Sequence, residues 1–258
     1  MERRRFGFLL AKGFDFKGYS TFAELYGIRY EKYEFDKNYF ENLAGYNRLL
    51  ITQQFYERFV AVDFILIYQT DAFVFRDELD QWCAMKYDYI GAPWSGNHFY
   101  NDAPLLGTGN GGFSLRNIKS SLKVLMKLRC LEVLEQYKNF NWRGIVIRLP
   151  TILFQLYWSS RIPGNFENSY SFQEDVFWCK SAPARLYNFT CHSSILNLLG
   201  KLLVKNSYKI APVDVASKFS FETNPIGLFQ LNNGKLPFGC HAWEKYDIGF
   251  WTPFIFNK

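Results

Sequence analysis

Three short segments carry side chains that could act on a polar substrate. The first reads ILIYQTDAFVF (residues 65–75), and in it Asp71 follows a run of apolar residues. Burying a carboxylate without a partner costs far more free energy than its apolar neighbours return. Asp71 is therefore solvated, paired with a residue distant in the sequence, or placed to bind a cation.

The second segment, SFQEDVFW (residues 171–178), places Glu174 and Asp175 at the expected start of a helix. Acids in the first turn of a helix interact favourably with the helix dipole, which gives these two residues a structural interpretation. A carboxylate at a helix start can also reach into a cleft and act as a general base that takes a proton from a hydroxyl group. Both interpretations stay open at this point.

The third segment, PFGCHAWE (residues 237–244), contains His241, one of only three histidines in the chain. So few histidines argue against a metal cage built from histidine and cysteine. One carboxylate, one imidazole and two diphosphate oxygens nevertheless form a reasonable shell for Mn²⁺ or Mg²⁺. Asp71 and His241 are thus a candidate metal pair, while a purely structural role for a lone histidine is the alternative.

The glycine-rich stretch GTGNGG (residues 107–112) matches the pattern G-x-G-x-x-G but lacks its structural context. A dinucleotide site needs a strand before the glycines and a helix after them, so that the pyrophosphate meets the helix N-terminus. Here a polar loop containing proline precedes the glycines, and the strand-like residues 113–116 follow them. The stretch therefore predicts a tight turn or the close approach of a ligand, and not a dinucleotide site.

Hydrophobic patterning predicts that helices and strands alternate along the chain. Strands are expected at residues 6–11, 30–35, 64–68, 87–92 and 113–116, and helices at residues 46–62, 78–85, 118–137 and 193–204. Such alternation favours a mostly parallel sheet flanked by helices, in a single domain over residues 1–258. The amphipathic helix at residues 193–204 is expected to pack on the core or, alternatively, to contact a membrane or a lipid acceptor.

Composition restricts the class of protein. The net charge of +6 is not concentrated in a basic stripe, so we expect no nucleic-acid partner. Five scattered cysteines without a C-x-x-C pair are typical of reduced thiols in a cytoplasmic protein. The longest apolar stretch, residues 144–158, is interrupted by Arg148 and Pro150, so we expect no membrane span but allow peripheral contact with the inner face of the membrane.

Several segments together resemble a bacterial family of domains of unknown function that is regarded as glycosyltransferase-like. The segments are AGYNRL (44–49), LIYQTDAFVFRDELDQWC (66–83), YDYIGAPW (87–94), GNGGFSLR (109–116), EDVFW (174–178) and LPFGCHAWEKYD (236–247). Their order is also similar to that of nucleotide-sugar transferases of the GT-A fold, in particular the β-1,3-galactosyltransferase-like group. The resemblance implies a GT-A-like α/β fold, and the short N-terminus leads us to expect that its first β-α unit is missing.

The resemblance also implies a role for each matching residue. Asp71 corresponds to the last acid of a D-x-D motif and would bind Mn²⁺ or Mg²⁺, with His241 completing the metal shell. Asp175 would be the catalytic base, with Glu174 supporting it. Gln69 occupies the first position of D-x-D, where it supplies no charge, so metal affinity is expected to be reduced. Residues expected to contact the donor or the acceptor are Gln69, Thr70, Asp71, Trp94, Asn110, Gly111, Gly112 and Trp178.

The function that follows from the resemblance is metal-assisted transfer of a sugar from a nucleoside-diphosphate sugar to a hydroxyl of a glycan or lipid-linked acceptor. Inversion at the anomeric carbon and a place in bacterial surface polysaccharide assembly are expected. Two alternatives remain. One is a glycoside hydrolase that uses Asp71 and Asp175 as its carboxylate pair. The other is a non-catalytic module that binds a sugar or nucleotide. In the sugar-transfer interpretation, Trp94 and Trp178 are expected either to stack on sugar faces or to belong to the core.

Overall fold

The computed structural model describes residues 4–96, 104–159, 173–190, 193–204 and 208–256. Helices and strands are interspersed along these residues, as the patterning predicts. The strands are β1 (Phe6–Ala11), β2 (Tyr30–Phe35), β3 (Phe64–Tyr68), β4 (Phe73–Val74), β5 (Tyr89–Ile90), β6 (Pro93–Ser95), β7 (Leu105–Thr108), β8 (Phe113–Asn117), β9 (Ser220–Phe221) and β10 (Gly239–Cys240). The α-helices are α1 (Lys17–Leu25), α2 (Leu43–Leu49), α3 (Gln53–Glu57), α4 (Leu79–Ala84), α5 (Ile118–Gln136), α6 (Trp142–Ser159), α7 (Glu174–Val176), α8 (Ala182–Tyr187), α9 (Ser194–Val204), α10 (Val213–Phe219), α11 (Pro225–Leu231) and α12 (Ile248–Ile255).

The strands form several small sheets, and the expectation of one mostly parallel sheet is wrong. Within the described ranges, β1 pairs with β2 and β10 with β9 in parallel, whereas the pairs β3–β8, β5–β8, β4–β10 and β6–β7 are antiparallel. Parallel pairing needs a crossover, usually a helix, that returns the chain to the same end of the sheet. The long excursion between β3 and β8 instead brings the chain back in the opposite direction. The structure is thus mixed α/β.

Strand β8 is the centre of the sheet that supports the site. It lies between β3 and β5, and its residues from Phe113 to Arg116 are all buried. The register places Ile67 opposite Ser114 and Tyr68 opposite Phe113. The end of β3 and the start of β8 therefore lie side by side, which brings the turn after β3 next to the glycine-rich turn before β8.

The largest core cluster packs around helix α5. Leu125, Leu128, Leu131 and Leu134 of this helix are completely buried. The helix begins at Asn117, whose side-chain oxygen accepts a hydrogen bond from the backbone N–H of Ser120 at 2.9 Å, a standard N-cap. Helices α6, α8 and α9 pack against α5. The predicted helix over residues 118–137 is confirmed in type and nearly in length.

Several predicted elements differ from the structure in extent, and of the strand expected at residues 87–92 only Tyr89–Ile90 form β5. The helix expected at residues 46–62 is divided into α2 and α3, because Thr52 lies outside both helices and caps α3 by accepting the N–H of Phe55 at 3.1 Å. The loop expected over residues 107–112 is partly a strand, since Gly107 and Thr108 belong to β7.

At the N-terminal end, β1, α1 and β2 form a parallel β-α-β unit. No helix in the described ranges combines the length and the apolar composition needed to cross a membrane.

We predict that Leu128→Ala destabilises the fold by about 2–5 kcal/mol, because it removes a buried side chain and leaves a cavity beside α5. The measurement is chemical denaturation followed by far-UV circular dichroism. Lys123→Ala, on the exposed side of the same helix, is the control and should leave the unfolding midpoint nearly unchanged. Equal midpoints for the two variants would contradict the placement of Leu128 in the core.

Candidate functional site

Two consecutive glycines, Gly111 and Gly112, lie between two groups of candidate residues, one around His241 and the other around Glu174 and Asp175. A methyl group added to Gly111 would lie 1.5 Å from Oε1 of Glu174, and one added to Gly112 would lie 2.1 Å from Nε2 of His241. Only glycine allows both side chains to approach the backbone this closely. Because adjacent Cα atoms are about 3.8 Å apart, the carboxylate of Glu174 and the ring of His241 lie within roughly 10 Å of each other.

The first group lies in the turn after β3. The N–H of Gln69 donates to the carbonyl of Gly112 at 3.0 Å, which fixes this turn against the glycines. Nε2 of His241 lies 2.9 Å from Oε1 of Gln69 and 3.3 Å from Oδ1 of Asp71. The structure thus brings Asp71 and His241 together, 170 residues apart in the sequence. The Asp71 side chain remains 42% exposed, so it can reach a ligand.

His241 has a second acidic neighbour that the sequence did not suggest. Oε2 of Glu222 lies 3.2 Å from Nδ1 of His241, an ion-pair distance, although the angle is not that of a hydrogen bond. Burial by itself lowers the pKa of His241. Glu222 and Asp71 outweigh this effect, so that the pKa is raised above its ordinary value of 6.5. Glu222 therefore orients the ring and leaves Nε2 directed at Gln69 and Asp71.

Tyr46 is a further neighbour of this group. Its hydroxyl interacts with the side chain of Gln69, and burial raises the pKa of Tyr46 above its ordinary value. Tyr46 belongs to the segment AGYNRL, which resembled the family without being assigned a role. The amide oxygen of the same Gln69 side chain lies 2.9 Å from Nε2 of His241.

The second group surrounds Asp175, which is almost completely buried at the start of α7. Oδ2 of Asp175 accepts hydrogen bonds from Nε1 of Trp94 at 3.0 Å and from the backbone N–H of Asn110 at 2.9 Å. Oδ1 accepts the N–H of Val176 at 2.8 Å. Asn110 adopts a left-handed conformation, with φ at 55°, in the turn that precedes Gly111. Asp175 thus fixes both the turn and the indole ring.

Glu174 forms a buried ion pair with Arg116. Nη2 of Arg116 lies 2.8 Å from Oε1 of Glu174, and both side chains have almost no exposed surface. The guanidinium also donates to Ser114, Tyr56 and the carbonyl of Gly111. Burial alone would lower the pKa of Arg116, but Glu174 raises it well above its ordinary value, so the guanidinium stays charged. The pair joins β8 to α7.

Two further predicted contact residues are Trp178, which is in the core, and Thr70, which is exposed. Trp178 is completely buried, and its indole N–H donates to the carbonyl of Leu50 at 3.1 Å. Its prediction as a ligand-stacking residue is wrong, because a ring enclosed by Tyr56 and Tyr208 has no face open to a sugar. Thr70 lies exposed in the turn between Gln69 and Asp71.

A π-helix at Phe177–Ser181 follows α7, and its Lys180 places its amine 4.5 Å from the centre of the Trp94 ring.

His241, Asp71 and Gln69 are the described residues that could contact a divalent cation together with a substrate. Nε2 of His241 lies within 3.3 Å of two oxygen atoms, one from the carboxylate of Asp71 and one from the amide of Gln69. Mixed nitrogen and oxygen donors favour Mn²⁺ over Mg²⁺, which prefers oxygen. No group of three or more His, Cys, Asp or Glu side chains among the described residues is arranged to hold a metal by itself. The remaining ligands would have to come from the substrate or from water.

A family match gives the chain its relationship to other proteins. The family described as "Protein of unknown function (DUF5672)" matches residues 29–241, which is most of the 258-residue chain. The chain belongs to the DUF5672 family. The match includes Asp71, Asp175 and His241, and so both groups of the candidate site. No curated protein and no solved structure matches the chain.

The DUF5672 match confirms the resemblance to a family of unknown function. The finer resemblance, to glycosyltransferases and to the GT-A fold, stays a prediction. Four contributors to the site were not predicted from the sequence: Tyr46, Arg116, Lys180 and Glu222. Arg116 carried a signal, because it places a cation in the strand-like segment FSLR. Glu222 carried none, since an acid between Phe221 and Thr223 has no distinctive pattern.

We predict that Arg116→Met destabilises the protein by about 3–5 kcal/mol, because it leaves the Glu174 carboxylate buried without its cation. The measurement is the free energy of unfolding in urea. The double substitution Arg116→Met with Glu174→Gln should restore part of this loss, since no uncompensated charge then remains.

Lys12→Met provides the matched control, because it breaks an ion pair with Asp36 in which both side chains are more than half exposed. Exposed pairs contribute little to stability, so this variant should unfold close to the unmodified chain. A loss for Arg116→Met no larger than that for Lys12→Met would contradict the role given to the buried pair.

Proposed function

We propose that this DUF5672 protein is a glycosyltransferase that moves a sugar from a nucleoside-diphosphate sugar to a hydroxyl of a glycan or lipid-linked acceptor. One observation carries the proposal. A candidate cation pair, Asp71 and His241, lies 3.3 Å apart and is separated from the Glu174–Asp175 pair only by Gly111 and Gly112. In an inverting sugar transfer, a cation can stabilise the leaving diphosphate while a carboxylate takes the proton of the attacking hydroxyl.

The donor side would be formed by Asp71, His241 and Gln69. A divalent cation bound there would neutralise the charge that develops on the departing diphosphate. Glu222 would keep the His241 ring oriented, as acids behind metal-binding histidines do. The amine of Lys180 lies 4.5 Å from the centre of the Trp94 ring, where it could also contact a phosphate or a sugar hydroxyl.

The acceptor side would be formed by Asp175 and Trp94. Asp175 would take the proton from the acceptor hydroxyl while that oxygen bonds to the anomeric carbon and the diphosphate leaves with the bonding electrons. The three N–H groups that donate to Asp175 fix the direction of its carboxylate. Glu174 would act indirectly, because its ion pair with Arg116 holds the start of α7. Inversion and a place in bacterial surface polysaccharide assembly follow only from the family resemblance.

A non-catalytic module that binds a nucleotide sugar is the second candidate. It is favoured by the contacts of Asp175, whose Oδ2 already accepts two hydrogen bonds and whose side chain is almost fully buried. A carboxylate used in this way can hold the Trp94 ring and the Asn110 turn in place without taking a proton. The two candidates differ in turnover and not in binding.

We predict that a nucleotide sugar raises the thermal unfolding temperature only when Mn²⁺ is also present. A ligand that binds the folded state at 100 times its dissociation constant adds about 2.7 kcal/mol of stability. The measurement is differential scanning fluorimetry with UDP-, GDP-, dTDP- and CMP-sugars, with Mn²⁺ or with EDTA. Asp71→Asn and His241→Gln should each abolish the joint shift.

Glu24→Gln is the matched control, because it also removes one exposed carboxylate but lies on α1, outside the family match. It should leave the joint shift unchanged. A shift that persists in EDTA, or that survives Asp71→Asn, would contradict the metal assignment. The absence of any shift with every donor would contradict donor binding altogether.

We predict that Asp175→Asn lowers the transfer rate by about 10²–10⁴-fold, which is the usual contribution of a general base, and changes donor affinity little. The measurement is release of nucleoside diphosphate with a panel of saccharide and lipid-linked acceptors, beside donor binding by fluorimetry. Glu24→Gln is again the control, since it also converts a carboxylate to an amide but lies outside the family match, and it should leave the transfer rate unchanged. Loss of donor binding in Asp175→Asn would make its role structural, and sugar release without an acceptor would indicate a hydrolase.

A further inference from the structure

Helix α6 exposes an unusual amount of apolar surface. Its buried residues are Ile145 and Ile152, which pack into the main core cluster. Seven other large apolar side chains of the helix are exposed, including Ile147 at 76% and Phe154 at 63%. The seven are Trp142, Val146, Ile147, Leu153, Phe154, Tyr157 and Trp158. A helix that is apolar on nearly all sides is typical of a buried or lipid-contacting segment, and not of one facing water.

The exposed apolar residues of α6 lie on one face. At 3.6 residues per turn, their positions fall within an arc of roughly 160° on the side of the helix away from Ile145 and Ile152. Arg143 is the one charged residue inside this arc, and its guanidinium lies 5.3 Å from the centre of the Trp142 ring. We call this face, defined by the seven residues and Arg143, the α6 face. Two tryptophans and a tyrosine give it the aromatic groups that favour a membrane–water interface.

The charged side chains of α6 and α9 are all basic, whereas α5, which also packs against α6, carries Glu132 and Glu135, and both of these acids pair with Arg185 of α8. Residues 142–159 contain Arg143 and Arg148 and no acid. Helix α9, which contacts α6, carries Lys201 and no acid, and its Leu198 and Leu202 are also exposed. A surface with aromatic and aliphatic side chains, basic residues and no acids is complementary to anionic lipid headgroups.

We propose that the α6 face docks this protein on an anionic lipid bilayer, with α6 lying in the plane of the interface. The apolar side chains would enter the boundary between headgroups and acyl chains, and Arg143 would stay at the level of the phosphates. The helix does not cross the bilayer, in agreement with the absence of a spanning helix among the described residues. The surface differs from the helix expected from the sequence to contact a membrane, which was residues 193–204.

A lipid surface explains the charges better than a second copy of the chain. In a symmetric contact the same face of each copy meets the other. Two α6 faces would then bring basic, acid-free helices together with no acid to compensate the charge, which is unfavourable. An anionic bilayer supplies the missing negative charge. The proposal does not depend on sugar transfer, because none of its residues belongs to the candidate site.

The test is flotation of the purified full chain with phosphatidylcholine vesicles that contain or lack phosphatidylglycerol. The chain should float with the anionic vesicles and less so as salt is added, because salt screens the attraction. Ile147→Glu combined with Phe154→Glu should weaken partitioning by at least about tenfold, since two apolar side chains no longer enter the interface. Arg143→Gln should weaken it by about fivefold on anionic vesicles only.

Phe22→Glu combined with Leu25→Glu is the matched control, because it replaces two exposed apolar residues on α1. It should bind vesicles as the unmodified chain does, and circular dichroism should show that all variants fold. Failure of the unmodified chain to float, or equal flotation of the α6 and α1 variants, would overturn the proposal. A dimer in analytical ultracentrifugation that only the α6 variant disperses, without vesicle binding, would overturn it in favour of a contact between copies.

Discussion

The buried ion pair between Arg116 and Glu174 is the contact on which the arrangement of the candidate site depends. Arg116 lies in the central strand β8, and Glu174 begins α7, so their 2.8 Å contact fixes the helix start against the sheet. Removing either charge from such a pair leaves the other buried without compensation, which is costly. The same guanidinium reaches Ser114, Tyr56 and the carbonyl of Gly111, so it also holds the glycine turn. Asp175 follows Glu174 directly and takes its position from this pair.

The glycine turn then joins the two halves of the site. Gly111 faces Glu174 and Gly112 faces His241, at distances that leave no room for a side chain. On one side, Gln69, Asp71 and Glu222 surround the imidazole of His241. On the other, Trp94 and Asn110 donate to Asp175. A rigid turn between a cation-binding pair and a directed carboxylate is a suitable frame for chemistry on a ligand that spans both, which is why sugar transfer is our proposal.

The sparse donor set around His241 has a consequence for how a cation would bind. Asp71 is the only described carboxylate near Nε2, because Gln69 stands where a second acid would bring charge and Glu222 lies on the Nδ1 side of the ring. A diphosphate would have to supply the missing negative charge, so cation and donor are expected to bind together. The α6 face, which shares no residue with this site, adds a separate means of placing the protein on a lipid surface.

The sequence by itself determined the local elements and the identity of most site residues. Patterning predicted β2, β3 and α5 closely, and Asp71, Glu174, Asp175 and His241 were selected from residue type and context. Only the tertiary structure decided which of these residues meet. The antiparallel pairing of β3 with β8 depends on contacts between distant segments, which periodicity does not encode. The same holds for Arg116, Glu222 and the buried Trp178, because burial and partners are set when the chain packs and not by neighbours in the sequence.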